Sequence, residues 1–217
     1  MRIAASHADR EALKLLVREL PQAGTGMAPG FATMLGGGAQ PGGVVRLFSF
    51  LIDKARVHAQ LDLDGERRPV TPPQVATQDA QPPPPTEPRY PKVGSGLFVP
   101  LIALAHGRSG DKGNSSNIGI LAREPRFVPY IGAALTEDAV ARWFAHLLDP
   151  QDGRVRRYPL PAAQGWNFLL EGSLGGGGVA SLRADPQGKA HAQQLLSFDV
   201  EVPPELYQEL TSKVGAA

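Results

Sequence analysis

The sequence predicts an α+β protein. A ferredoxin-like split βαβ sandwich occupies residues 96–217, preceded by a small strand–helix–hairpin unit over 1–65 and a proline-rich linker over 66–95. Three observations lead there. Apolar segments after Gly96 run in the order β(β)αββαβ, which suits a split βαβ sheet. Nine of the 21 prolines fall between Glu66 and Ser95, including Pro82–Pro85 in a row. Ahead of them, one helical pattern and one pair of strand-like segments form a short separate run.

In the first unit, MRIAAS reads as a short strand, and Ser6 with Asp9 reads as a capping box opening a helix. Ala12, Leu13, Leu16, Val17 and Leu20 line one face of that helix, and Pro21 is expected to end it. The glycine-rich stretch GTGMAPGFATMLGGGAQPGG is too irregular for an element. VVRLFSFLI, a turn at Asp53-Lys54 and RVHAQLDLDG then read as a hairpin with one wet face, because Val57, Ala59, Leu61 and Leu63 alternate with polar neighbours. The linker is too rich in proline and too poor in apolar residues to pack, so an extended or disordered spacer is expected. Its P-x-x-P spacings, Pro82/Pro85 and Pro88/Pro91, could also dock an SH3-like partner.

The C-terminal domain opens with LFVPLIALAHGRSGDKGNSSNIGILAR, two apolar runs (Leu97–Ala105 and Ile118–Ala122) around a polar loop from Gly107 to Asn117. The runs suit buried strands. Thr136 is a good N-cap for a helix carrying Val140, Trp143, Phe144 and Leu147, closed at Pro150. RVRRYPL and WNFLLEG follow as strands. Asp185-Pro186 stands in N-cap/N1 order before a helix with Ala192, Leu195 and Leu196 inward. FDVEV is a last strand and PPELYQELTSKV a last amphipathic helix.

Composition narrows the function. The chain has 217 residues, 22 basic against 21 acidic side chains and no cysteine. Near-neutral charge disfavours a dedicated nucleic-acid or membrane binder. The lack of cysteine excludes disulfides, thiolate catalysis and cysteine metal sites. The opening residues hold no apolar signal core, and no run approaches the roughly 18 apolar residues of a membrane span. Cytoplasmic residence is expected.

The candidate site is the segment HGRSGDKGNSSNIG. Its glycines let backbone N–H groups converge, Arg108 and Lys112 bring positive charge, and Ser109, Asn114 and Asn117 bring hydrogen-bonding groups. Asp111 would orient Arg108 or Lys112. That combination suits a phosphate or carboxylate, with a purely structural loop as the alternative. It is no Walker A motif, since no Gly-Lys-Ser/Thr follows. His106, Ser109 and Asp111 lie too close in sequence for an ordinary catalytic triad. His7, His58, His106, His146 and His191 form no metal-ligand spacing, so no metal is expected; no cofactor and no reaction can be named from the residues. A second glycine run, EGSLGGGGVASLR, could lie near the first segment with Arg183 close by, or serve as a bulged connection.

AHGRSGDKGNSSNIGILAR, LTEDAV, FAHL and GWNFLLEGSLGGGGVASLRADPQGKAHAQQLLSFDVEVP together resemble the C-terminal ferredoxin-like domain of the acyclic terpene utilisation family, AtuA type, over about residues 97–203. The first unit resembles the close of that family's large N-terminal domain. A full member carries several hundred further residues upstream, so the chain reads as a shortened or split member. The resemblance implies a role in degrading acyclic terpenes such as citronellol and geraniol, through acyl-CoA intermediates. The expected partners are a small anionic metabolite or acyl-CoA, a separate chain supplying the missing domain, or a second copy. A non-catalytic assembly module is the alternative.

Overall fold

The computed structural model describes residues 3–27, 29, 39–46, 48, 50–71, 89–90 and 93–214. They fall into two compact units, Met1–Arg46 with Arg89–Ala217, and Leu47–Pro88. No helix among the described residues is long and apolar enough to cross a membrane.

Helix α1 (Arg10–Gly26) begins one turn later than a Ser6 cap would place it. Asp9 is the N-cap, its carboxylate accepting from the Glu11 N–H. Pro21 lies inside the helix rather than at its end. The cost of a mid-helix proline is the lost N–H and the clash with the preceding turn, and here the chain continues for one more turn beyond it. Residues 3–6 form no strand.

The described part of residues 44–52 is not a strand. Asp53 instead caps a single 3-10 turn, Lys54–Arg56. The hairpin comes later: β1 (Gln60–Leu63) pairs antiparallel with β2 (Glu66–Pro69), so the strand falls where the linker was expected to begin. Asp64 and Gly65 both adopt positive φ, 51° and 85°, as a two-residue type I′ turn requires. Both faces are exposed, not one. Most of the proline-rich stretch lies outside the described residues.

The rest of the chain builds the sandwich. The run Leu97–Ala105 is not one strand. β3 (Phe98–Pro100) gives way to a 3-10 turn at Leu101–Ala103, and β4 (Ala105–Lys112) starts beyond it. The polar segment Gly107–Asn117 is not a loop either. It is the heart of a hairpin between β4 and β5 (Ser115–Ala122), turning at Gly113-Asn114. Glycine-rich sequence can form strand here because β5 lies between two partners, and the ladder supplies hydrogen bonds that local propensity does not.

After Phe127 comes a helix the sequence pattern does not show, α2 (Val128–Ala134). α3 (Glu137–Trp143) follows, with Thr136 as its cap. Then come β6 (Arg154–Leu160), β7 (Gly165–Glu171), α4 (His191–Leu196), β8 (Asp199–Glu201) and α5 (Pro204–Val214). α4 starts later than Asp185-Pro186 suggests, because that dipeptide forms a turn of its own ahead of the helix.

The main sheet has the order β4-β5-β7-β6 and is antiparallel throughout; β3 and β8 pair separately. β5, the helices α2 and α3, β6 and β7 make the split βαβ unit, with β7 between β5 and β6. The place beside β5 goes to its hairpin partner β4. Ile118, Ile120, Trp166, Phe168, Leu170 and Val155 project to one face and form the core with Ile131, Val140, Phe144, Leu195 and Leu196 of the helices. Among the described residues no element packs on the opposite face, which carries Arg108, Lys112, Arg154, Arg156 and Glu171.

Candidate functional site

Side chains alternate along a strand, so residues two apart share a face. His106, Arg108, Gly110 and Lys112 of β4 therefore stand together on the open face, and Ser109 points into the core. Cross-strand register sets Arg108 opposite Gly119 and Gly110 opposite Asn117. Gly119 in turn lies opposite Asn167 of β7. The result is a shallow hollow of about 360 Å³ with Gly110 and Gly119 as its floor and Arg108, Ser109, Asp111, Lys112, Asn117 and Lys189 around it. Lys112 lies four residues from Arg108, roughly 13 Å along the strand.

Six side chains were singled out by sequence, and they separate into two groups. Arg108, Lys112 and Asn117 border the hollow. Asn117 donates one amide N–H to Asn167 Oδ1 (2.9 Å), which fixes its orientation. The Lys112 ammonium donates to the Asp111 backbone carbonyl at 2.9 Å, and among the described residues Arg108 makes no ion pair. Ser109 and Asp111 line it too, but their side chains, like that of Asn114, are engaged elsewhere. The Ser109 hydroxyl donates to the Lys189 carbonyl (3.1 Å) and accepts from the Ala192 N–H (2.9 Å), so the backbone takes up both of its roles. Asp111 holds Lys112 only through its backbone carbonyl; its carboxylate pairs with neither Arg108 nor Lys112 and lies 3.9 Å from the Lys189 ammonium. Asn114 accepts from the Gly176 N–H (2.6 Å), and its carbonyl accepts from the Leu174 N–H (3.1 Å). The second glycine run is thereby tied to the hairpin turn. Arg183 lies beside Gly175 and donates to the Leu147 carbonyl at 2.7 Å and to the Ser173 carbonyl.

His106 and Ser109 occupy opposite faces of β4, so no triad with Asp111 can form. Arg123 donates to His106 Nε2 at 3.3 Å.

Lys189 was not foreseen. Its backbone is fixed on both sides, its N–H donating to Asp185 Oδ1 (3.0 Å) and its carbonyl accepting from Ser109. The ammonium reaches over the sheet edge, to 3.2 Å from the place a Cβ on residue 110 would take. Gly110 is what leaves it that space. The signal in the sequence was the turn Asp185-Pro186-Gln187-Gly188-Lys189, whose Gly188 has φ 61°. Asp185 itself lies below the usual carboxylate range: burial pushes it up, and the Ala190 and Lys189 N–H groups more than offset this.

A second basic cluster on the same face behaves differently. Glu171 pairs with Arg154 and, at 3.0 Å, with Arg156. The hydrogen bond from Arg154 holds the Glu171 carboxyl below its ordinary range against the opposing effect of burial. Both arginines of that corner thus share one carboxylate, whereas among the described residues neither Arg108 nor Lys112 has a carboxylate partner.

Below the hollow lies a buried polar chain. Ser116 Oγ is 2.9 Å from His191 Nδ1 and 2.8 Å from Ser173 Oγ. Ser173 accepts from the Ser116 N–H and donates to the Leu170 carbonyl. Proton counting assigns the directions. All four contacts are satisfied only if His191 Nδ1–H donates to Ser116 and Ser116 donates to Ser173. A histidine that donates to a serine does not activate it as a nucleophile, so the chain is structural. Burial lowers the His191 pKa, against an opposing pull from Asp185.

The stability that neutral His191 confers is complete above the unfolded-state value of 6.5 and declines as pH falls from there towards the lower folded value. Asp149, Glu171, Asp185 and Glu201 are depressed carboxylates, so their contributions decline only below the unfolded values of 3.8 and 4.5. Thermal midpoints should therefore fall between about pH 7 and 5, and His191→Gln should flatten that slope. An unchanged slope in the variant would refute the assignment.

A larger groove, about 440 Å³, lies between the apolar face of α1 and residues 3–8 and 39–44; its polar members, Ser6, His7, Arg10 and Gln40, form no cluster of one charge. Among the described residues no three His, Asp or Glu side chains are grouped to hold a metal.

A family model described as AtuA ferredoxin-like domain matches residues 99–201. No curated protein and no solved structure matches the chain.

Proposed function

We propose, from the match of residues 99–201 to the AtuA ferredoxin-like domain, that the chain acts in the cytoplasmic catabolism of acyclic terpenes such as citronellol and geraniol. There it binds an anionic metabolite, an acyl-CoA thioester, at the hollow beside Arg108, Lys112 and Lys189. The observation that carries this reading is the contrast between two basic corners of one sheet face. Arg154 and Arg156 share Glu171 as an ion-pair partner, whereas among the described residues no carboxylate pairs with Arg108 or Lys112, which flank a glycine floor; the Asp111 carboxylate at its edge lies 3.9 Å from Lys189 instead. Cations held apart over such a floor suit a ligand with separated phosphates, each met by a charge-assisted hydrogen bond. Asn117, held by Asn167, adds a neutral donor.

The test is calorimetric titration of coenzyme A thioesters into wild type and the Arg108→Ala/Lys112→Ala double variant. Two lost charged contacts should weaken binding by about a hundredfold, and added salt should weaken the wild type. Equal affinity in the two proteins, or no binding to either, would end this reading.

The exposed state of the smaller unit favours a second reading. All of its described residues are exposed, among them Phe48, Phe50, Leu51, Ile52, Leu61 and Leu63. An isolated two-stranded hairpin has little stability of its own. These residues would then dock on a separate chain, and the protein would be a non-catalytic assembly module. The titration discriminates: a module whose sole role is docking binds no thioester.

A further inference from the structure

The open face continues beyond the hollow. One row towards its other end, cross-strand register aligns Leu121 of β5, Gly165 of β7 and Leu160 of β6. Tyr158 stands beside Leu160 in the next row, opposite Asn167. Leu121, Leu160 and Tyr158 are 40%, 39% and 45% exposed, so roughly two-fifths of each remains open to a ligand. Gly165 contributes no side chain, and a Leu121 δ-methyl lies 2.7 Å from where a Cβ on residue 165 would sit. Leu121 thus spreads over the glycine that stands between it and Leu160 in the row, and the row forms an apolar strip.

We propose that this strip is a second subsite of the same ligand site, taking the aliphatic tail of an anion whose charged end lies at Arg108, Lys112 and Lys189. The inference rests on the ligand reading above and adds where the acyl tail of that ligand lies, along the strands beside the leucines. The Arg108 row adjoins the leucine row, roughly 7 Å away, and Lys112 lies about 20 Å from the leucine row. One extended molecule can reach both.

Charge argues against a second copy as the occupant. The face carries Arg108, Lys112, Arg154 and Arg156 against Glu171 alone, so two such faces would repel. Three partly exposed side chains also fall far short of a stable protein interface.

The experiment measures the affinities of coenzyme A, acetyl-CoA and octanoyl-CoA for wild type and for Leu121→Gln/Leu160→Gln, with thermal melts to verify folding. Octanoyl-CoA should bind wild type at least about tenfold more tightly than acetyl-CoA, and the variant should lose most of that preference while keeping its affinity for coenzyme A. Coenzyme A binding with no dependence on chain length overturns the apolar subsite and leaves the anion site standing. Binding of none of the three overturns both. If the variant fails to fold, Tyr158→Ser read in the same way takes its place.

Discussion

Gly165→Ala is expected to destabilise the protein by about 3 kcal/mol or more, at the upper end for an added methyl. The new Cβ would overlap the carbonyl oxygen of Ile120, and backbone held in the β5–β7 ladder cannot move aside as a flexible side chain would. Gly119→Ala, one strand away, is the informative control. Its nearest neighbour would be the Arg108 carbonyl at 3.8 Å, an ordinary contact, and alanine suits a strand slightly better than glycine. Its methyl would instead raise the floor of the hollow. Urea denaturation should therefore separate the two: Gly165→Ala loses stability, and Gly119→Ala keeps stability but weakens ligand binding. Equal stability in both variants would show that the register at Gly165 is wrong.

The second large effect concerns the buried chain beneath the site. Ser116→Val suits a central strand in shape but removes the oxygen that receives the His191 Nδ1–H. A buried donor left without a partner costs about 1–3 kcal/mol. Removing both partners should cost less than the single changes suggest, because no orphan remains. Ser116→Val/His191→Leu is accordingly expected to recover part of the loss in a double-mutant cycle. Additive losses, or a fully stable Ser116→Val, would contradict the assigned direction of the His191–Ser116 bond.

Several elements could be read locally. RVRRYPL and WNFLLEG alternate cleanly and form β6 and β7, while Thr136 and the apolar spacing of PELYQEL mark α3 and α5. Short-range chemistry decides these, so a single segment suffices. The hairpin of β4 and β5 could not be read this way. Its inward positions Ala105, Gly107 and Ser109 are small because α4 packs against them, with the Leu196 side chain 3.3 Å from a Cβ built on Gly107. Without large inward side chains the alternation is faint, and the segment resembles a loop. α2 was hidden by Pro129 and Gly132, which break a helical pattern on paper but lie in its first turn and against Tyr90 in the fold.

The strand period of two places Arg108 and Lys112 on one face of β4, and both can be read from the chain alone. The sequence also carried the family signature over residues 99–201. The packing of distant segments sets the rest: Lys189 joins this face across the sheet edge, and Glu171 pairs with both Arg154 and Arg156. It also turned Ser109 and Asn114 from candidate ligand contacts into ties for the backbone. The physical reason is range: side-chain direction follows from neighbours two residues away, whereas charge pairing depends on register between strands and loops distant in the chain.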